Sequence, residues 1–333
     1  MIHPLKFLSL AGLGMLTGCA MTADNLPSEQ SQVMLATLYD SHVVDAATTK
    51  AMSLTELVNS LENADVVFFG EYHGHQGAHL LQSQLQVALH RQQPRQVLSM
   101  EQFSVDHQAT LNRYLSGELG ETELIEDADA WPNYRASYRP LVEYAKSRAL
   151  PVVAANAPAE IARCVGRTGA SYLDNLDPVS RSLLPDQPFQ EVSAYRAKFL
   201  QAMAHGADHS DRMENQYQAQ LLRDNTMAVS ILDALNRHPG HQVLHINGTF
   251  HSEQSLGTVA ALRARAPDLE VRVISPVLRD DATTPLSERE LTLGDIVYLV
   301  LPLPAEYRDT GRQLESLSKQ FNNARAQSCG SES

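Results

Sequence analysis

Six short apolar runs, separated by longer segments of helical periodicity, dominate the hydrophobic pattern of this chain. They lie at 65–69, 96–100, 151–155, 242–247, 270–275 and 295–300. Uninterrupted runs of β-branched and large apolar residues are typical of strands that are buried on both faces. Between the first two runs, Ala78–Arg91 carries leucines at helical spacing. Strands that alternate with helices predict right-handed βαβ units, and therefore an α/β fold with a mainly parallel sheet flanked by helices.

Two gaps between the apolar runs, at 104–150 and 157–240, are too long for simple crossovers. The second contains Met213–Asn236, a long segment with apolar residues at helical spacing. We therefore predict two helical insertions at the carboxyl rim, the edge of the sheet where the parallel strands end. The predicted organisation is a polar tether at 19–50, a single α/β domain at 51–305 and a polar tail at 306–333.

Residues 1–18 have the pattern of an export signal. Lys6 gives a positive start, and Phe7–Leu16 is an apolar stretch too short to span a membrane as a mature helix. Leu16-Thr17-Gly18-Cys19 resembles the lipobox of bacterial lipoproteins, which implies acylation of Cys19 with chains such as palmitate. Ala20 after the cysteine implies an outer-membrane lipoprotein. The alternative is an ordinary signal peptide with an incidental cysteine. No other stretch is long enough to span a bilayer, so the lipid is the only predicted membrane attachment.

The composition narrows the classes of partner. Hydrophobic residues make up 43% of the 333 residues, and the formal net charge is −13. An acidic chain argues against a nucleic-acid partner, because phosphate binding needs a basic face. In an oxidising compartment, Cys164 and Cys329 are allowed to form a disulfide. Cys329 lies in the polar tail and Cys164 in a helix-like run, so the pattern leaves their pairing open.

Two of the apolar runs end at a glycine that is followed three positions later by a histidine. These Gly-x-x-His turns are Gly70–His73 and Gly248–His251. Since functional groups gather past the carboxyl ends of parallel strands, the two turns are expected to meet at one rim. The polar residues that follow strand ends form the predicted rim cluster: Glu71, His73, Glu101, Asn156, Asn247 and His251.

The rim cluster has three interpretations. Its members can satisfy each other as a polar network that only holds the strand ends, or they can perform proton chemistry. They can also bind a divalent metal, since His75 and His79 follow His73 closely and imidazole with carboxylate suits zinc or iron. The His-Glu-x-x-His order of zinc proteases is absent.

A set of motifs in this chain resembles the ChaN family of iron-regulated, haem-binding lipoproteins. The motifs are Gly70-Glu71-Tyr72-His73 followed by Gln84, Met100-Glu101-Gln102-Phe103, Gln108, Tyr114-Leu115-Ser116-Gly117, Leu150 to Pro158, Tyr217-Gln218-Ala219-Gln220, Arg223-Asp224, Thr226-Met227-Ala228 and Asn247 to His251. The similarity covers roughly 50–300 and implies kinship with erythromycin esterases and Tiki-type proteases. Gly74-His75 departs from the family pattern, in which Asp-Asn often follows the first motif histidine.

The resemblance implies haem capture at the bacterial envelope, beside an outer-membrane haem receptor that serves iron acquisition. Haem needs an apolar slot, an axial ligand and donors for two propionates. Ferric iron favours a tyrosinate ligand, and the candidates in the insertions are Tyr134, Tyr138, Tyr195 and Tyr217. Candidate propionate donors are Arg196, Lys198, His205 and His209. A haem shared between two protomers would need less apolar surface from each, so we also expect a homodimer on haem binding.

The competing class is a hydrolase that is esterase-like or protease-like. In that case Glu71 acts as the general base at the rim, with or without a divalent metal, and Glu101 and the two motif histidines complete the site. The sequence alone does not decide whether the protein is an enzyme.

Overall fold

The computed structural model describes residues 35–203, 210–326 and 328–329 of the chain. Within them, eight strands form one sheet. The strands are β1 (His42–Asp45), β2 (Ala51–Met52), β3 (Val66–Glu71), β4 (Gln96–Ser104), β5 (Val152–Asn156), β6 (Gln242–Gly248), β7 (Val271–Leu278) and β8 (Ile296–Val300). The six predicted apolar runs correspond to β3–β8.

Helices occupy most of the segments between the strands. They are α1 (Leu54–Ser60), α2 (Gln76–Gln92), α3 (Gln108–Leu115), α4 (Glu121–Asp127), α5 (Tyr134–Ser137), α6 (Arg139–Ser147), α7 (Ala159–Thr168), α8 (Pro178–Ser182), α9 (Ser193–Met203), α10 (Ser210–Arg237), α11 (Thr258–Arg265), α12 (Glu288–Leu291) and α13 (Thr310–Ala326). The first illustrates how sequence sets a boundary: Ser53 and Glu56 form a reciprocal capping box at its start. The predicted insertions contain α3–α6 and α7–α10.

The strand order is β2-β1-β8-β7-β3-β6-β4-β5. All pairings from β8 to β5 are parallel, whereas β1 pairs antiparallel with both β2 and β8. The α/β fold with a mainly parallel sheet is therefore confirmed. β3 lies at the centre between β7 and β6, and its carboxyl end faces the middle of the rim.

Both faces of the central strands are covered, which explains their continuous apolar runs. On β3, Val67 and Phe69 pack in a core with α1, α2 and α6, while Val66 and Phe68 pack in a second core with α10 and α11. Alternate side chains of a strand point to opposite faces, so each face needs its own apolar residues. The two layers hold the strand ends in fixed register.

The structure corrects both ends of the predicted domain. β1 lies in the segment that was predicted as a tether, and Leu35 packs with β8 residues in a small apolar cluster. Short edge strands carry too few apolar residues to stand out in sequence. The predicted polar tail contains α13, and Cys329 forms a disulfide with Cys164 of α7. Among the described helices, none combines the length and apolarity that crossing a membrane requires. Cys19 and the predicted signal lie outside the described residues.

Candidate functional site

The two Gly-x-x-His turns lie side by side because their strands are neighbours in the sheet. β3 and β6 run parallel, with Gly70 opposite Asn247 and Glu71 opposite Gly248. Both strands therefore end at the same level of the rim. The structure places the two turns together as the strand pattern predicted.

The two glycines allow the turns to interlock. A Cβ atom on Gly70 would lie 3.0 Å from Ser252 Oγ and 3.1 Å from Thr249 Cα, both of which belong to the second turn. A Cβ atom on Gly248 would lie 2.7 Å from Nε2 of His73, in the first turn. The distance at Gly248 is shorter than real Cβ contacts reach, and the distances at Gly70 are tighter than most of them, so each glycine makes room for the opposite turn.

His73 is held by the buried carboxylate of Glu71. The imidazole Nδ1 lies 2.9 Å from Glu71 Oε1, which also accepts a hydrogen bond from the Tyr138 hydroxyl at 2.6 Å. Gln82 of α2 donates to the other oxygen, Glu71 Oε2. Burial opposes protonation of His73, but the carboxylates of Glu71 and Glu101 outweigh it and raise the pKa of the imidazole. The side chain is 43% exposed, and its Nε2 has no hydrogen bond within the described part of the chain.

His251 lies between two buried carboxylates. Its Nδ1 is 2.7 Å from Asp224 Oδ1, and its Nε2 is 3.4 Å from Glu101 Oε1. The other oxygen of Asp224 accepts a hydrogen bond from the Tyr195 hydroxyl at 2.7 Å. The other oxygen of Glu101 accepts the backbone N–H of Gly248 at 2.6 Å. Each carboxylate therefore has a second donor besides the imidazole.

This arrangement keeps His251 charged. Burial alone would lower the pKa of His251, but Glu101 and Asp224 raise it to about 10. Burial likewise opposes ionisation of Glu101, yet the charge of His251 holds the pKa of that carboxyl well below its ordinary value. The geometry is that of an imidazolium held between two carboxylates.

A cavity of about 700 Å³ opens beside the two turns. Its floor includes Glu71, His73, Gly248 and His251. Its wall is formed by apolar and aromatic residues of α9 and the second turn: Phe199, Ala202, Met203 and Phe250. A polar floor below an apolar wall is typical of a small-molecule site. We call this cavity the rim cleft.

Comparison with known proteins identifies the family of this chain. A family model described as "Haem-binding uptake, Tiki superfamily, ChaN" matches residues 57–262, more than half of the chain. The chain belongs to this family. The resemblance seen in the motifs is therefore confirmed, and membership supports a haem-binding role. None of the curated proteins matches the chain.

Solved structures also match the chain. ChaN of Campylobacter jejuni, described as having cofacial haem binding, matches with a TM-score of 0.60 at 16% identity, over 79% of this chain and 98% of that one. The type III effector HopBA1 matches with a TM-score of 0.46 at 11% identity, over 75% and 94%. An erythromycin esterase mutant, EreC, matches with a TM-score of 0.44 at 15% identity, over 83% and 86%. At these identities the ChaN structure supports the fold alone.

The four tyrosines predicted as iron ligands of this ChaN-family chain are all buried. Tyr138 and Tyr195 donate to Glu71 and Asp224, and burial with the nearby carboxylate raises the pKa of both phenols. Burial also raises the pKa of Tyr134 and Tyr217. None of the four lines the rim cleft, so ligation by any of them stays a prediction.

The other predicted site residues differ in their contacts and in whether the structure describes them. Asn156 bonds to the backbone of Glu101 and Ala157, and Asn247 to the backbone of Gly248 and the Ser252 hydroxyl. For these two asparagines, the interpretation as part of a polar network that holds the strand ends fits best. His205 and His209 lie outside the described residues. No group of three or more His, Cys, Asp or Glu within the described ranges is arranged to hold a metal ion, and a divalent metal is unsupported.

Asp224 is the site residue that sequence reasoning missed as a partner of His251. It is 1% exposed and lies on α10, far in sequence from both turns. The sequence does contain a pattern that could have indicated Asp224. The pattern is the helical spacing of Tyr217, Gln220 and Asp224, on the face where a packed helix normally carries apolar residues. A buried charge on such a stripe indicates a specific partner.

Proposed function

We propose that this protein binds haem in the rim cleft and serves haem uptake. The observation that carries the proposal is that the segment matching the haem-binding uptake family, 57–262, supplies both the floor and most of the apolar wall of the cleft. Phe199, Met203 and Phe250 offer the apolar and aromatic surface that a porphyrin ring needs. The residues present therefore fit haem as a ligand.

The iron ligand that fits this geometry best is His73. Its Nδ1 is oriented by Glu71, and its Nε2 lies at the floor of the cleft beside Gly248. A carboxylate behind an imidazole is the arrangement that orients histidine ligands at metal centres. The predicted tyrosine ligands would first have to leave buried positions. The proposal therefore ranks His73 above Tyr195, Tyr217, Tyr138 and Tyr134.

We also propose a cellular location and a partner for the protein. Acylation of Cys19 would hold it at the outer membrane, close to a haem receptor, with the folded domain outside the cytoplasm. A tethered haem binder stays near the place where haem enters, which supports this arrangement. A homodimer that forms on haem binding would cover the open side of the cleft.

An absorption titration tests the haem proposal. Haemin is added to the chain from residue 20, and a Soret band that shifts and saturates at one or two haems per chain is expected, with micromolar or tighter affinity. His73→Ala should weaken the band or move it to a different ligation state, whereas Tyr195→Phe and Tyr217→Phe serve as matched tyrosine controls. If haemin produces no spectral change at micromolar protein, haem binding is rejected.

A second function is favoured by the floor of the cleft itself. Glu71–His73 and Glu101–His251 meet at one rim, as hydrolysis would require. Glu71 is buried with both oxygens accepting hydrogen bonds, so the general base facing the cleft is His73, and Glu71 orients it. If the protein is a hydrolase, Glu71→Gln should abolish turnover of a model ester.

A further inference from the structure

The cations that the sequence offered for the haem propionates are already neutralised. Arg196 pairs with Glu214 through Nη1 and Oε2 at 2.7 Å and also with Glu191. Lys198 Nζ lies 3.1 Å from Glu253 Oε1 and donates to the backbone of Phe250. A propionate would have to displace these partners, so neither side chain is ready to receive one.

A second cavity, of about 750 Å³, lies between α7 and α10, and its lining includes four arginines and one carboxylate, that of Asp211. We call it the arginine cavity. On α7 its lining includes Arg163 and Arg167, spaced i, i+4; on α10 it includes Arg212 and Arg223, spaced i, i+11. These spacings put each pair on one face of its helix. Gly166 and Ala219 lie where the helices are in contact and line the same cavity. Four arginines around one cavity stand out in a chain of net charge −13.

Two of these arginines, Arg163 and Arg223, form no salt bridge in the described part of the chain. Arg163 Nε is buried without a hydrogen-bond partner. Burial lowers the pKa of Arg223, and the carboxylates of Glu101 and Asp224, which both contact His251, oppose this lowering. Arg167 and Arg212 have interactions of their own. A desolvated guanidinium without a partner is costly, and an anionic ligand would relieve that cost.

The arginine cavity and the rim cleft are contiguous. Phe199, Met203 and Gln220 line both of them. A flat ligand whose apolar ring lies against Phe199 and Met203 would therefore direct a charged edge towards the arginines. Haem has this shape, because its two carboxylates leave from one edge of the ring.

We propose that Arg163 and Arg223 form the carboxylate-binding end of the rim cleft and hold the propionates of haem. This inference rests on the proposed haem binding and adds the orientation: the propionate edge points between α7 and α10, and the opposite edge points towards Phe250. Arginine pairs bidentately with carboxylates, so two arginines match two propionates.

The test compares two ligands on four proteins by Soret titration. The ligands are haemin and haemin dimethyl ester, which lacks the two negative charges, in the same detergent buffer. The proteins are the wild type, Arg163→Gln/Arg223→Gln, Arg163→Lys/Arg223→Lys and the control Arg91→Gln/Arg237→Gln. The control removes the same charge from exposed positions at helix ends, and Arg237 is about 21 Å along α10 from Arg223.

The expected result is a loss that depends on the carboxylates. For haemin, the double glutamine variant should bind about 100-fold more weakly than the wild type, about tenfold per arginine. The lysine variant should retain part of the affinity, and the control should bind as the wild type does. For the ester, all four proteins should bind alike, which also shows that the variants are folded.

The outcomes separate the two proposals. If the wild type binds neither ligand, the haem proposal itself fails. If the wild type binds haemin and the glutamine variant binds it equally well, haem binding stands and the arginine site is rejected. An equal loss for haemin and its ester also rejects it, because such a loss does not come from the carboxylates.

Discussion

The two Gly-x-x-His turns end neighbouring strands and share one motif, yet they place their histidines in opposite environments. His73 is 43% exposed, contacts one carboxylate and keeps Nε2 at the floor of the rim cleft. His251 is 9% exposed and lies between the carboxylates of Glu101 and Asp224. The first turn offers a ligand atom, and the second provides a buried charge that holds the rim together.

The difference comes from what packs on each turn. α10 brings Asp224 to the second turn, and α11 adds Thr258, whose hydroxyl donates to the same carboxylate oxygen as His251 contacts. The first turn faces the cavity, and Trp131 packs edge-on against its imidazole, with centroids 4.9 Å apart. A motif therefore fixes the backbone, while the covering helix decides the chemistry of its histidine.

The largest expected effect is the loss of the buried charge. His251→Gln leaves Glu101 and Asp224 without their shared cation, so the free energy of unfolding should fall by about 3–5 kcal/mol. His73→Gln removes a half-exposed partner of a single carboxylate and should cost less than about 1 kcal/mol. Urea unfolding of both variants checks the ranking. Equal costs would contradict the division of roles between the turns.

The pH dependence of stability tests the same difference between the two histidines. Because the pKa of His251 is raised from 6.5 to about 10, its contribution is fully present below about pH 6.5 and is lost as the pH rises towards 10. Between pH 7 and 9 the wild type should lose up to about 1.4 kcal/mol per pH unit relative to His251→Gln. Asp224→Asn should lower the pKa of His251, as seen by NMR of the ring. A parallel pH profile for wild type and His251→Gln would show that His251 is neutral.

Substitution of the two turn glycines, Gly70 and Gly248, has the smallest expected effect, and it separates stability from haem binding. Gly70→Ala forces a methyl group against the backbone of Thr249 and should cost about 1–3 kcal/mol of stability. Gly248→Ala forces one against His73, whose half-exposed ring can move, so it should cost less stability. Moving that ring should, however, weaken haem binding more than Gly70→Ala does. Unfolding and haemin titrations on both variants test this inverse order, and the same order in both assays would contradict it.

The fold was predictable wherever a strand could be recognised from its own run of apolar residues. The six apolar runs gave β3–β8 to within a few residues, since burial on both faces favours long apolar runs. β1 and β2 were missed because edge strands are short and half covered. The rim convergence of Glu71, His73, Glu101 and His251 was also predictable, because parallel strands end on one side.

The sequence by itself determined the parallel sheet, the two turns at its rim and the family. Tertiary structure alone decided that Asp224 reaches His251, that the candidate tyrosines are buried and that Arg163 and Arg223 face one cavity. The physical reason is that strand pattern and turn geometry are local, whereas a side chain's partner depends on how helices far apart in sequence cross over the sheet.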